Sequence, residues 1–109
     1  MSQSLGAKRA PLGTLKPGKI SPRRAVPAHI DRPEYMYHSG PEVVTAGDIK
    51  SPETIEKIRV AGRIAAQALQ VVGEAVRPGV TTDELDRIGH EFIISHNAYP
   101  SCLGYMGFP

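Results

Sequence analysis

Residues 51–79, SPETIEKIRVAGRIAAQALQVVGEAVRPG, constrain the fold more than any other stretch of the chain. Ser51 is a good N-cap residue, Pro52 suits the first helical position, and Glu53 meets the positive end of the helix dipole. Pro78 and Gly79 supply the stop. At about 100° per residue, Glu56, Arg59, Arg63, Gln67, Gln70, Glu74 and Arg77 fall in one narrow polar stripe. Nearly everything else is apolar or small, from Ile55 and Ile58 through Ala61, Gly62, Ile64, Ala68 and Leu69 to Val72 and Val76, with Lys57 the main exception. A helix apolar over well more than half its circumference needs neighbours on several sides.

The rest of the body is too short to supply them. VTTDELDRIGHEFIISHN, residues 80–97, predicts a second helix. Thr81 and Glu84 make a capping box, and Val80 is placed to staple to Leu85. Leu85, Ile88 and Phe92 form the stripe to be buried, Ile93 widens it, and Asn97 suits a left-handed stop. Two helices joined by a tight turn follow. The second covers one side of the first, and the 13 residues 97–109 are too few to cover the others. At about 25 cal/mol per Å², the missing burial is a serious deficit for a body of about 60 residues. Either a partner completes the core, or the chain is the front end of something larger.

The 109 residues allow at most one domain, and the net charge of +2 is unevenly placed. Residues 1–30 hold Lys8, Arg9, Lys16, Lys19, Arg23 and Arg24 and no acid, whereas residues 51–109 carry a net charge of −2. Prolines at 11, 17, 22, 27, 33 and 41 make this head extended and irregular, and they break the amphipathic helix that an organelle transit peptide needs. The head is either a solvated tail or a contact for RNA, an acidic protein surface or a membrane face. From Asp31 to Gly47 the composition is more mixed, with Tyr35, Met36, Tyr37, Val43 and Val44, which predicts a linker lying along the surface of the body. The expected division is therefore a proline-rich basic extension over residues 1–47 and a body over 48–109. No apolar run approaches the roughly 20 residues of a membrane span. The single cysteine, Cys102, allows no internal disulfide. A cytoplasmic protein is the expectation.

Candidate chemistry is sparse. Asp83, Asp86 and His90 share one face of the second helix at i, i+3 and i+7. That face lies opposite Leu85, Ile88 and Phe92, so a solvated polar face is expected rather than a metal site. His90 and His96 do not share a face, and Cys102 has no recognisable activating base. No catalytic constellation is expected. The terminal segment NAYPSCLGYMGFP differs, because Gly104 and Gly107 permit tight turns and space Cys102, Tyr105 and Phe108 three apart. If the three face one way, they form a sulfur-and-aromatic wall suited to an unbranched apolar side chain such as methionine. Ordinary core is the alternative.

Taken together, SPETIEKIRVAGRIAA, RPGVTTDELDRIGHEFI and AYPSCLGYMGFP resemble the type I methionine aminopeptidases, in order and over nearly all of residues 51–109. The proline-rich head is more loosely similar to that of the actinobacterial subgroup. The resemblance implies an α/β (α+β) pita-bread fold, of which this chain is the N-terminal part: two helices plus a pocket loop, with an incomplete core. It implies removal of the initiator methionine from the N-terminus of nascent polypeptides, with two divalent metal ions (Co, Mn, Fe or Zn) whose ligands all lie beyond this chain. No catalytic or metal residue carries over, and the 109 residues alone are expected to be inactive. Cys102, Tyr105 and Phe108 match positions lining the methionine side-chain pocket; Phe108 is tyrosine in many relatives, and Met106 stands where a polar residue is common. A full-length monomer without membrane attachment is implied, with ribosome contact through residues 1–30 as a further expectation. The rival is a non-catalytic module that binds the ribosome, RNA or a protein through the basic head.

Overall fold

The computed structural model describes residues 13–44 and 47–109; Lys8, Arg9 and Pro11 of the basic head lie outside them. Two α-helices carry the body: α1, Pro52–Ala75, and α2, Thr82–Ser95. Short 3-10 turns occur at Glu34–Tyr37 and Tyr105–Gly107, and there is no strand among the described residues.

Local chemistry sets the helix ends. The Ser51 hydroxyl accepts from the Thr54 amide at 3.2 Å, which satisfies one of the unpaired donors of the first turn of α1. The helix ends at Ala75, three residues before Pro78. A helical Pro78 would press its ring on the carbonyl of Glu74, and Arg77 before it is disfavoured from helical geometry. Val76 is extended, and Arg77–Val80 closes a turn in which Gly79 takes φ +93° and the Val80 amide donates to the Arg77 carbonyl at 3.2 Å. Thr81 caps α2 by accepting from the Glu84 amide at 3.1 Å. The reciprocal half of the expected capping box is not made. The Glu84 carboxylate instead takes a two-pronged bond from Arg87, at 2.6 and 2.9 Å. Asn97, at φ 57°, supplies the left-handed stop.

The helices meet along one side of α1. Ala68 is buried there, and a Cβ added at Gly89 would come 3.1 Å from Val72 Cγ2, so glycine permits the close approach. Elsewhere α1 is bare: every residue from Ser51 to Arg63 is exposed, Ile58 (56%) among them, and so is Leu69 (76%).

The head is irregular, as its prolines imply, yet it does more than skirt the body. Ile30 and Tyr35 are buried, with Ala68 and Leu103 the other buried apolar residues among those described. Arg32 shapes this segment from within. Its guanidinium donates to the carbonyls of Val26, Pro27 and Ile30 at 2.6–2.9 Å and lies 5.9 Å from the centre of the Tyr99 ring.

Candidate functional site

The terminal loop is folded on itself by short-range bonds. Leu103 donates to the Pro100 carbonyl at 2.9 Å, Phe108 to Tyr105 at 2.8 Å, and Gly104 to Phe108 at 2.9 Å. Gly104, Met106 and Gly107 all have positive φ, at 80°, 47° and 80°. The loop therefore reverses twice within a few residues, and the two glycines adopt this conformation at little cost.

Cys102 and Phe108 face a groove of about 620 Å³. Its other walls are Pro17–Arg24 of the head and the Asp83, Asp86 and His90 face of α2. Tyr105 is not among the groove's walls. Its ring stands edge-on to Tyr35 at 5.0 Å between centroids and 80° between planes. The loop thus brings Cys102 and Phe108 together and turns Tyr105 toward the head. Phe108 is 60% exposed, so an apolar group laid against it would gain burial on both sides of the contact.

The polar face of α2 is a docking surface for the head, contrary to the solvated face expected. Ser21 donates to the Asp83 carboxylate from its hydroxyl at 2.6 Å and its amide at 3.2 Å. Arg24 pairs with Asp83 at 3.3 Å and Asp86 at 3.0 Å and also reaches the Asp83 carbonyl. His90 is buried and bonds the Ala25 carbonyl through Nε2 at 2.8 Å, so that nitrogen carries the proton. The Ser21 hydroxyl, then its amide, and the nearby Arg24 charge hold the Asp83 carboxyl below the ordinary aspartate range.

A second set of head contacts grips the loop. The Tyr35 hydroxyl donates to the Ser101 carbonyl, and Arg23 reaches the Phe108 carbonyl at 3.5 Å. Burial pushes the Tyr35 phenol above its usual range. Tyr99 donates to the Leu103 carbonyl at 2.8 Å and sits 3.1 Å from the Met36 sulfur. Periodicity and motif spacing overlook Ser21, Tyr35 and Met36, whose partners lie more than 60 residues away. The aromatic and sulfur content after Asp31 was the available signal.

Among the described residues, no three of His, Cys, Asp and Glu converge to hold a metal ion. Asp83, Asp86 and His90 are engaged by Ser21, Arg24 and Ala25, so this side-chain set does not fit a metal centre.

Residues 56–109 match the metallopeptidase family M24. The chain belongs to that family. Methionine aminopeptidase 2 of Mycobacterium tuberculosis is 57% identical over 95 residues, which is 87% of this chain and 33% of that protein. Methionine aminopeptidase 1D, mitochondrial, of Dictyostelium discoideum is 42% identical over 104 residues, 93% of this chain and 26% of its own. The 1D chloroplastic/mitochondrial enzyme of Arabidopsis thaliana is 45% identical over 96 residues, 87% and 27%. This M24 chain thus spans a quarter to a third of the length of these curated relatives. Residues 48–109 number only 62, so a match over 87% of the M24 chain runs well into the head.

Proposed function

We propose that this chain is the N-terminal part of a methionine aminopeptidase, a metal-dependent hydrolase that frees the initiator methionine from nascent polypeptides. The 57% identity to a protein of that name, over 87% of this chain, carries the reading. The bare side of α1 supports it, since an α/β pita-bread domain would supply a sheet to cover that side. In this reading the body begins near residue 48 and the preceding residues are an extension that clasps it.

The substrate's methionine side chain would lie against Cys102 and Phe108, while Tyr105, set off the groove wall, backs the loop through its ring contact with Tyr35. Thioether and aromatic edge make a favourable contact. The divalent ions that a metallopeptidase uses would be held outside these residues. No step of the hydrolysis is assigned to this chain's own side chains, and the 109 residues alone are expected to be inactive.

The experiment is a chimera in which residues 13–109 replace their counterpart in the Mycobacterium tuberculosis relative, assayed on Met-Ala-Ser with added Mn²⁺ or Co²⁺. Turnover is expected from the chimera and none from the 109-residue chain. A chimera that melts cooperatively yet releases no methionine would sink the proposal.

The rival reading, a ribosome- or RNA-binding module, depends on the basic head. Arg24 is committed to Asp83 and Asp86, and Arg23 reaches the Phe108 carbonyl, so two of its cations are turned inward. Salt-sensitive ribosome co-sedimentation that disappears on deleting residues 1–30 would favour it.

A further inference from the structure

We propose that Tyr35 and Met36 are positioning residues for the substrate pocket, holding the Cys102–Phe108 loop in its binding shape before substrate arrives. The inference rests on the methionine-pocket reading above and adds to it a role for two residues of the head.

The loop has little to hold it from its own side. It has no strand neighbour among the described residues, its backbone bonds are all short-range, and three of its residues have positive φ. Such a segment keeps its side chains in one arrangement only when surrounding groups over-determine it.

Tyr35 and Met36 do this from a 3-10 turn that places both side chains against the loop. Tyr35 is 6% exposed, its hydroxyl bonds the Ser101 carbonyl just before Cys102, and its ring meets Tyr105 edge-on. The Met36 sulfur occupies the space that a Cβ at Gly104 would need, and it lies beside the Tyr99 hydroxyl that ties down the Leu103 carbonyl. The contacts at Ser101, Gly104 and Tyr105 span the part of the loop that carries Cys102. Phe108, the other groove residue, follows one short turn later. Neither Tyr35 nor Met36 lines the groove, so each acts through the loop and not on the substrate. Pre-arranged contacts of this kind raise affinity by removing the ordering cost from the binding step.

The test has two readouts. Hydrogen exchange of residues 99–109 is compared with that of α2 in the 109-residue chain and its Tyr35→Ala, Tyr35→Phe and Met36→Ala variants. The loop should exchange about tenfold faster in both alanine variants, with α2 unchanged and Tyr35→Phe intermediate because it keeps the ring contact. In the chimera, Tyr35→Ala should raise KM for Met-Ala-Ser by roughly tenfold with kcat within about twofold, the signature of binding lost equally from ground and transition states. Loop exchange equal to wild type, or α2 accelerated equally, overturns the anchoring. A wild-type chimera inactive on methionyl peptides brings down the pocket reading on which the proposal rests, and the exchange data still decide the anchoring by themselves.

Discussion

Asp83 is the residue on which the head's docking turns, because it accepts from Ser21 twice and pairs with Arg24. Its carboxyl is held below the ordinary value of 3.8, so the docked state binds fewer protons than the undocked state as pH falls through that range. The contribution is therefore fully present above 3.8 and is lost as the pH drops through the lowered value. The Ser21 amide resonance should move toward its random-coil position only below the usual aspartate range, and a midpoint at or above 3.8 would contradict this. Asp83→Asn should flatten the response. Gly104 offers a second residue-scale prediction, since it combines φ +80° with a Met36 sulfur in the place of its Cβ. Gly107 shares that φ but faces open space. Gly104→Ala should therefore cost more than Gly107→Ala, whose left-handed penalty alone is about 1–2 kcal/mol. Adding Met36→Ala should recover the steric excess and leave the backbone part, as a double-mutant cycle on urea midpoints would show. The caps Ser51 and Thr81 and the stop at Asn97 were legible in the sequence because each is a contact within a few residues. The partners of Asp83 and His90 were not, because they sit in an irregular segment that carries no periodicity.

At the scale of elements, α1 was readable in both position and deficiency: its pattern predicts neighbours on several sides, and the structure supplies one. The helix stops at Ala75, earlier than a stop at Pro78 and Gly79 would suggest, because a proline disturbs the turn before it as well as its own position. The head was less legible. Its prolines correctly imply irregular backbone, but irregular backbone is compatible with docking when tyrosine, arginine and histidine supply the bonds. Gly62 tests the bare side of α1 directly. Nothing lies within 4 Å of a Cβ placed there, so Gly62→Ala should stabilise the helix by about 1 kcal/mol in the 109-residue chain through backbone entropy alone. Gly89→Ala, against Val72, should not. Loss of helicity in Gly62→Ala, measured by circular dichroism, would show that this side of α1 is already covered.

For the molecule as a whole, the radius of gyration is 18.4 Å, against about 13 Å for a compact domain of this length. α1 contributes to the excess, since its 24 residues extend about 36 Å while only one side of the helix is packed. A small buried set, Ile30, Tyr35, Ala68, Leu103 and His90, links head, helices and loop. Cooperative unfolding requires most residues to lose burial together, and the N-terminal half of α1 has little to lose. Heating the 109-residue chain should therefore give a broad loss of helix signal, with a van't Hoff enthalpy well below the roughly 70 kcal/mol of a compact domain this size. In the chimera the same residues should melt in one sharp transition, since the added protein would cover Ile58 and Leu69. The comparison separates two causes of weak cooperativity. If the chimera also melts broadly, α1 is intrinsically under-packed. If the 109-residue chain alone melts sharply, the bare side of α1 is already covered, and a second copy of the chain is the occupant to look for.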